Sequence, residues 1–186
     1  MTAAIETFKS RAEAVSAEVH RFAAKADALQ FILEFLRSEG ICDAPQGFAL
    51  WANGPFLNGI DKRMLSREVP GLRFEITREL AAEAKIGISQ MDWGIANTGT
   101  LVQDAAAVDR RLVSTLPPIH IALLQSERLL ADLPSLLSKS HPDQTNYISF
   151  ITGPSRTADI ERVLTIGVHG PERLIIVVVD EAEGVS

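Results

Sequence analysis

The sequence predicts an α/β domain: an open, mostly parallel or mixed sheet with helices on both faces. Two observations carry this. The stretches 147–152 and 174–179 are continuous apolar runs, the pattern of strands buried on both sides in a covered sheet. A length of 186 residues with an apolar share of 46% also suits one domain with a sizeable core. The expected organisation is an N-terminal helical segment over 1–40 packed on an α/β domain over 41–186.

The first segment is rich in Ala, Glu, Lys and Leu. Its apolar positions at Ile5, Phe8, Ala12 and Val15, and again at Leu29, Ile32, Leu33 and Leu36, have helical spacing. Globular helices seldom run so far, and 18–22 alternates like a short extended segment, so two helices with a break there are expected. His20 is expected on the surface. The runs 47–51 and 72–77, bounded by Asn, Gly and Pro, read as strands, with Asn53-Gly54-Pro55 as a turn and 61–65 as a helical turn. Trp51 reads as a core-edge aromatic at a strand end, with stacking on a cofactor ring as the alternative.

Further along, 85–89 and 95–102 read as extended, joined through 91–94. Asn97, Thr98, Gly99 and Thr100 concentrate amide, hydroxyl and flexible backbone, a combination suited to an oxygen-rich ligand or to a simple bulge. The polar stretch 111–118 closes on a double proline before the apolar strand 119–124. His120, inside that strand, is expected to be hydrogen-bonded structure rather than a catalyst. The segment 126–138 has a leucine face and reads as a helix kinked or divided at Pro134. The loop 141–143 follows.

At 148–161 the apolar run ends on Gly153 and a polar turn follows, which reads as a strand-loop-helix junction. Gly153 permits a tight turn, Pro154 fixes φ, and Ser155 and Thr157 are helix-capping types. Arg156 lies between the two hydroxyls. A helix N-terminus with two hydroxyls and a guanidinium suits a phosphate or carboxylate; the alternative is an ordinary cap with Arg156 paired to Asp159 or Glu161. The loops at 97–100 and 155–157 are expected to converge beyond the carboxyl ends of the strands, joined by His169 and Gly170 from the glycine-bounded turn 167–171.

Four stretches carry a resemblance: Ala-Asn-Thr-Gly-Thr-Leu-Val at 96–102, Arg-Leu-Val-Ser-Thr-Leu-Pro-Pro-Ile-His-Ile at 111–121, Gly-Pro-Ser-Arg-Thr-Ala-Asp-Ile-Glu at 153–161 and Gly-Val-His-Gly-Pro at 167–171. In this order they resemble the signature of the lactate-utilisation (LUD) domain family, LutC type. The resemblance implies a fold similar to that of sugar-phosphate isomerases and CoA transferases, and partner proteins whose iron-sulfur clusters serve oxidation of L-lactate to pyruvate. By this reading the substrate- or anion-binding residues are Ser155, Arg156, Thr157, Asn97, Thr98, Gly99, Thr100, His169 and Gly170. Arg111, His120, Asp159 and Glu161 are supporting candidates. Asn97 stands where many members carry an acidic residue, a departure that bears on any mechanism needing a carboxylate there.

Composition bounds the rest. Cys42 is the only cysteine, so neither an internal disulfide nor a cysteine-ligated cluster or zinc site can be built from these residues, and no cofactor or metal is expected in the chain itself. No basic residue adjoins Cys42, so an inert thiol is expected. A formal charge of -6 and the lack of a basic run argue against nucleic acid as a partner. The start lacks a charged region followed by an apolar core, and no apolar run approaches the ~20 residues of a membrane span, so a cytoplasmic location is expected. Two functional classes stay open: a non-redox subunit of a lactate-oxidising system with an anion pocket, or a stand-alone enzyme acting on a phosphorylated or CoA-linked small molecule.

Overall fold

Burial of both faces of the central parallel strands sets up a three-layer arrangement. The computed structural model describes residues 2–139, 147–158, 164–166 and 170–181. In chain order its elements are α1 (Thr2–Ala14), β1 (Glu18–Phe22), α2 (Lys25–Ser38), β2 (Ala49–Trp51), α3 (Lys62–Glu68), β3 (Leu72–Arg73) and α4 (Arg78–Glu83). Then come β4 (Ile86–Gln90), β5 (Trp93–Ile95), β6 (Thr100–Asp104), α5 (Val108–Thr115), β7 (Ile119–Gln125), β8 (Leu129–Leu130) and α6 (Leu133–Leu137). The last are β9 (Ile148–Ile151), β10 (Arg156–Ala158), β11 (Leu164–Ile166) and β12 (Arg173–Val179).

The main sheet has the order β1-β12-β7-β4-β2-β3, and every neighbouring pair in it is parallel. One set of alternate residues, Ile86, Ile88, Ile119, Ile121, Leu123, Ile175 and Val177, packs with Ile32 and Leu36 of α2 and Leu65 of α3. The other set, including Ala122, Leu124, Leu174 and Ile176, packs with Phe8 and Ala12 of α1 and with Ala96 and Leu101 from a second sheet. On that side α4 and α5 also close over Leu50 through Ala81 and Val113. The mostly parallel sheet with helices on both faces is therefore as expected, and β12 is interior.

The second sheet has the order β8-β5-β6-β9. It corrects one expectation: the run at 147–152 is not an interior strand of the main sheet but contains β9, which pairs antiparallel with β6 alone among the described residues. Phe150 is 50% exposed there. An antiparallel strand with one packed face needs only half its residues buried, and an apolar run does not say which sheet it joins.

The segment over 1–40 forms two helices with an extended break at 18–22, as its pattern led us to expect. Its break is β1, which pairs with β12 and so belongs to the sheet itself. His20, expected on the surface, is half-buried with its ring centroid 4.5 Å from that of Phe31, and burial lowers its pKa. The predicted helix at 126–138 is shortened to α6. Asp132 caps it by accepting from Ser135 N at 2.9 Å, and Pro134 occupies the first turn, where its missing N–H costs nothing. The loop 141–143 lies outside the described residues.

Candidate functional site

The sequence-predicted loops do meet, at the amino-terminal edge of the main sheet. β5 and β6 form an antiparallel hairpin whose tip holds Asn97, Thr98 and Gly99, so the expected single run 95–102 is folded in two. β9 runs beside β6, which brings Thr152 to Thr100; the two hydroxyls are 2.8 Å apart. Gly99 and Gly153, both at positive φ, lie against the C-terminal end of α1. A Cβ on Gly99 would stand 2.4 Å from Ala12 N, and one on Gly153 2.5 Å from Val15 O. Only glycine lets both loops approach the helix backbone this closely.

Beyond Gly153 the predicted helix start is not a helix. Arg156–Ala158 is β10, paired antiparallel with β11 so that Arg156 stands opposite Ile166. Threonine suits a strand as readily as a cap, and the partner strand captured the segment. Ser155 N donates to Pro171 O at 2.8 Å, and Gly170 lies against the Ser155 side chain, with the Thr115 carbonyl beside it. Pro171 leads into β12 and Thr115 ends α5 ahead of β7, so this cluster marks the edge opposite to the one expected.

Arg156 is exposed, and its Nη2 donates to Val15 O at 2.9 Å and to Ser16 Oγ at 2.7 Å. The guanidinium thereby satisfies a carbonyl just past the end of α1, the end where a cation is favoured. Asn97 and Thr98 are exposed, Gly99 and Thr100 buried. Thr157 is in β10. His169, Asp159 and Glu161 lie outside the described residues. Arg111 lies away from the loop tips with its guanidinium carbon 5.3 Å from the Tyr147 ring centroid.

His120 is wholly buried in β7. Its Nε2 is 2.9 Å from Ser89 Oγ of β4, to which Gln103 Nε2 of β6 donates at 3.0 Å; Gln103 Oε1 in turn accepts from Ser114 Oγ of α5 at 3.2 Å. Burial pushes its pKa down to about 3, so the ring is neutral at ordinary pH. This chain ties the second sheet and α5 to the main sheet, the structural role expected of His120.

A different group of residues occupies the carboxyl edge of the central strands. Pro55, Gln90, Met91, Asp92, Arg110 and Arg128 line a cleft of about 80 Å³ at the ends of β4 and β7. Arg110 is fixed there, Nη1 to Asp92 Oδ2 at 3.2 Å and Nη2 to the Gln90 carbonyl at 3.0 Å. Asp92 Oδ2 also accepts from Asp104 N at 2.6 Å, and Gln90 Oε1 from Phe56 N at 2.7 Å. Among the described residues no group of three or more His, Cys, Asp or Glu side chains could hold a metal ion, and no helix is long and apolar enough to cross a membrane.

The LUD domain family model matches residues 5–179. The chain belongs to the LUD domain family. It is 39% identical over 113 residues to Lactate utilization protein C of Exiguobacterium sp., an alignment covering 58% of this chain and 49% of the relative. It is 36% identical over 107 residues to Lactate utilization protein C of Oceanobacillus iheyensis, covering 54% and 46%. The chain thus spans about half the length of these curated relatives. A crystal structure of a DUF162 family protein from Deinococcus radiodurans matches with a TM-score of 0.65 at 18% identity over 96% of this chain and 97% of that one, which shows a shared fold.

In this LUD domain the sequence motifs led to the amino-terminal edge and missed the carboxyl-edge cleft. Its side chains come from β4, α5 and the turns after β2, β4 and β7, and no short motif joins them. The one available signal was positional: Gln90 and Arg128 each stand at or just after the end of an apolar strand, where open α/β sheets bind ligands.

Proposed function

We propose that this LUD domain is a LutC-like lactate utilisation protein, a cytoplasmic non-redox component that works with iron-sulfur proteins oxidising L-lactate to pyruvate. We further propose that it binds a small carboxylate or phosphate through the loops around Arg156. The names of the relatives at 39% and 36% identity support the system. The lone Cys42 supports placing the clusters on partners, because four thiolates are the usual cluster ligands.

One observation carries the anion assignment: hydroxyls of Thr100 and Thr152, the backbone of Gly170, Ser155 and the Arg156 guanidinium gather from distant parts of the chain. Arg156 uses only Nη2 on α1, so Nε and Nη1 make no hydrogen bond to the described residues. A guanidinium held from one side has already lost much of its rotamer freedom, which lowers the cost of binding an anion on the other. His169, Thr157 and the polar tip Asn97-Thr98 complete the proposed ligand set.

The test is lactate-dependent growth of a strain lacking this gene, complemented with wild type, Arg156→Lys, Arg156→Ala or Ser16→Gly. Lysine keeps the charge and loses the planar fork, so both Arg156 variants are expected to fail, whereas Ser16→Gly, which removes only part of the clamp, grows. Full growth with both Arg156 variants would sink the anion site. Turnover of a phosphorylated or CoA-linked compound by the isolated chain, with no iron-sulfur protein co-purifying, would replace the subunit reading with an independent enzyme.

A further inference from the structure

The cleft at the carboxyl ends of β4 and β7 has charge properties that the loops around Arg156 do not explain. Of its two arginines, Arg110 is committed to Asp92 and to backbone carbonyls. Arg128 is exposed and makes no ion pair or hydrogen bond to a described side chain; its guanidinium carbon lies 5.0 Å from the Trp93 ring centroid. Lys139 places its ammonium 5.3 Å from the same ring. Two cations therefore share one indole beside a cleft whose single lining carboxylate is already neutralised, in a chain whose formal charge is -6.

Size selects the ligand. Pockets for drug-sized molecules span about 300–1,000 Å³. At about 80 Å³ this cleft seats only a few heavy atoms, and a nucleotide, a CoA or a sugar phosphate would lie mostly outside it. Met91 and Pro55 supply apolar wall, Arg128 a planar donor fork, and the cleft sits where ligands bind in open parallel sheets.

We infer that this cleft binds a small monocarboxylate of a few carbons, with Arg128 as the anion contact and the Arg110–Asp92 pair as a fixed wall. The site lies at the edge of the sheet opposite Arg156 and stands independently of the function proposed above.

The experiment is a titration of the ¹⁵N-labelled full chain with sodium L-lactate, pyruvate, acetate and inorganic phosphate, with sodium chloride as the ionic-strength control. The two indole N–H signals are assigned with Trp93→Phe. Saturable shifts of the Trp93 signal with the carboxylates are expected, weakened about ten- to a hundredfold by Arg128→Gln and unchanged by Arg156→Gln. Arg128 is exposed, so its replacement leaves the fold intact, and the spectrum itself reports this. Shifts that sodium chloride reproduces, equal affinity in Arg128→Gln, or shifts confined to Ser16, Thr100 and their neighbours would each overturn the assignment. The last outcome would at the same time favour the Arg156 site.

Discussion

Arg156 reaches 140 positions back along the chain to Ser16, its Nη2 2.7 Å from the serine hydroxyl. Ser16 has φ 71, in the left-handed region, where it ends α1 in the manner of a glycine. Replacing Ser16 by glycine relieves roughly 1–2 kcal/mol of backbone strain and loses an exposed hydrogen bond of about 1 kcal/mol, so its melting temperature should stay near or above that of wild type. Ser16→Ala keeps the strain and loses the bond. It should be destabilised by about 1 kcal/mol in denaturant titration.

The glycines under the loops separate close approach from backbone conformation. Gly99→Ala and Gly153→Ala each force a Cβ into backbone of the α1 end, and we expect losses of about 3 kcal/mol or more in urea unfolding. Gly59 has φ +76, and a Cβ there would meet nothing within 4 Å. Gly59→Ala should cost only the conformational part, about 1–2 kcal/mol.

His120 sets a pH dependence of stability. Its pKa is about 3 in the folded chain against 6.5 for an unperturbed imidazole, so between these values the unfolded chain binds a proton that the folded one refuses. Stability should be fully present above pH 6.5 and fall by at most about 1.4 kcal/mol per pH unit as the pH drops toward 3. His120→Gln removes this contribution, and its urea midpoint should change less between pH 7 and pH 5 than that of wild type.

Two buried serines should respond oppositely to truncation. Ser126 is 2% exposed and its hydroxyl has no hydrogen-bond partner among the described residues. Ser126→Ala should be neutral or stabilising by up to about 1 kcal/mol. Ser114 donates to Gln103 Oε1 inside the His120 network, and Ser114→Ala, which strands that acceptor, should cost about 1–3 kcal/mol. Differential scanning calorimetry of the two variants checks both signs.

The legible parts of this fold were those decided by local pattern. Leu174 to Val179 read as an interior strand because every side chain is apolar, and it is flanked on both sides by parallel neighbours. Ile148 to Ile151 is also mostly apolar yet is an edge strand among the described residues, because its neighbour, β6, is fixed by a hairpin that composition does not announce. That the loops containing Thr100 and Arg156 approach one another was anticipated from residue type and resemblance, and the structure has Thr100 against Thr152 with Gly99 and Arg156 both at the end of α1. The edge at which they meet was not, since it depends on which way β9 runs. Arg110 and Arg128 gave no local sign of a shared cleft: each is an ordinary helix- or turn-end cation until α5 and β7 are packed.

The pairing of β1 with β12 joins segments more than 150 residues apart in the sequence, Glu18 opposite Ile175. On the ribosome, β1 emerges early and must wait for β12; at synthesis rates of about 5–20 residues per second that interval is roughly 8–30 s. β1 lacks its parallel partner until then, and once β7 has been made, the side of it that β12 will cover waits as well. Closing the main sheet then requires insertion of β12, apolar from Leu174 to Val179, between two waiting edges, a late, long-range step of the kind that slows folding and exposes nascent chains to association.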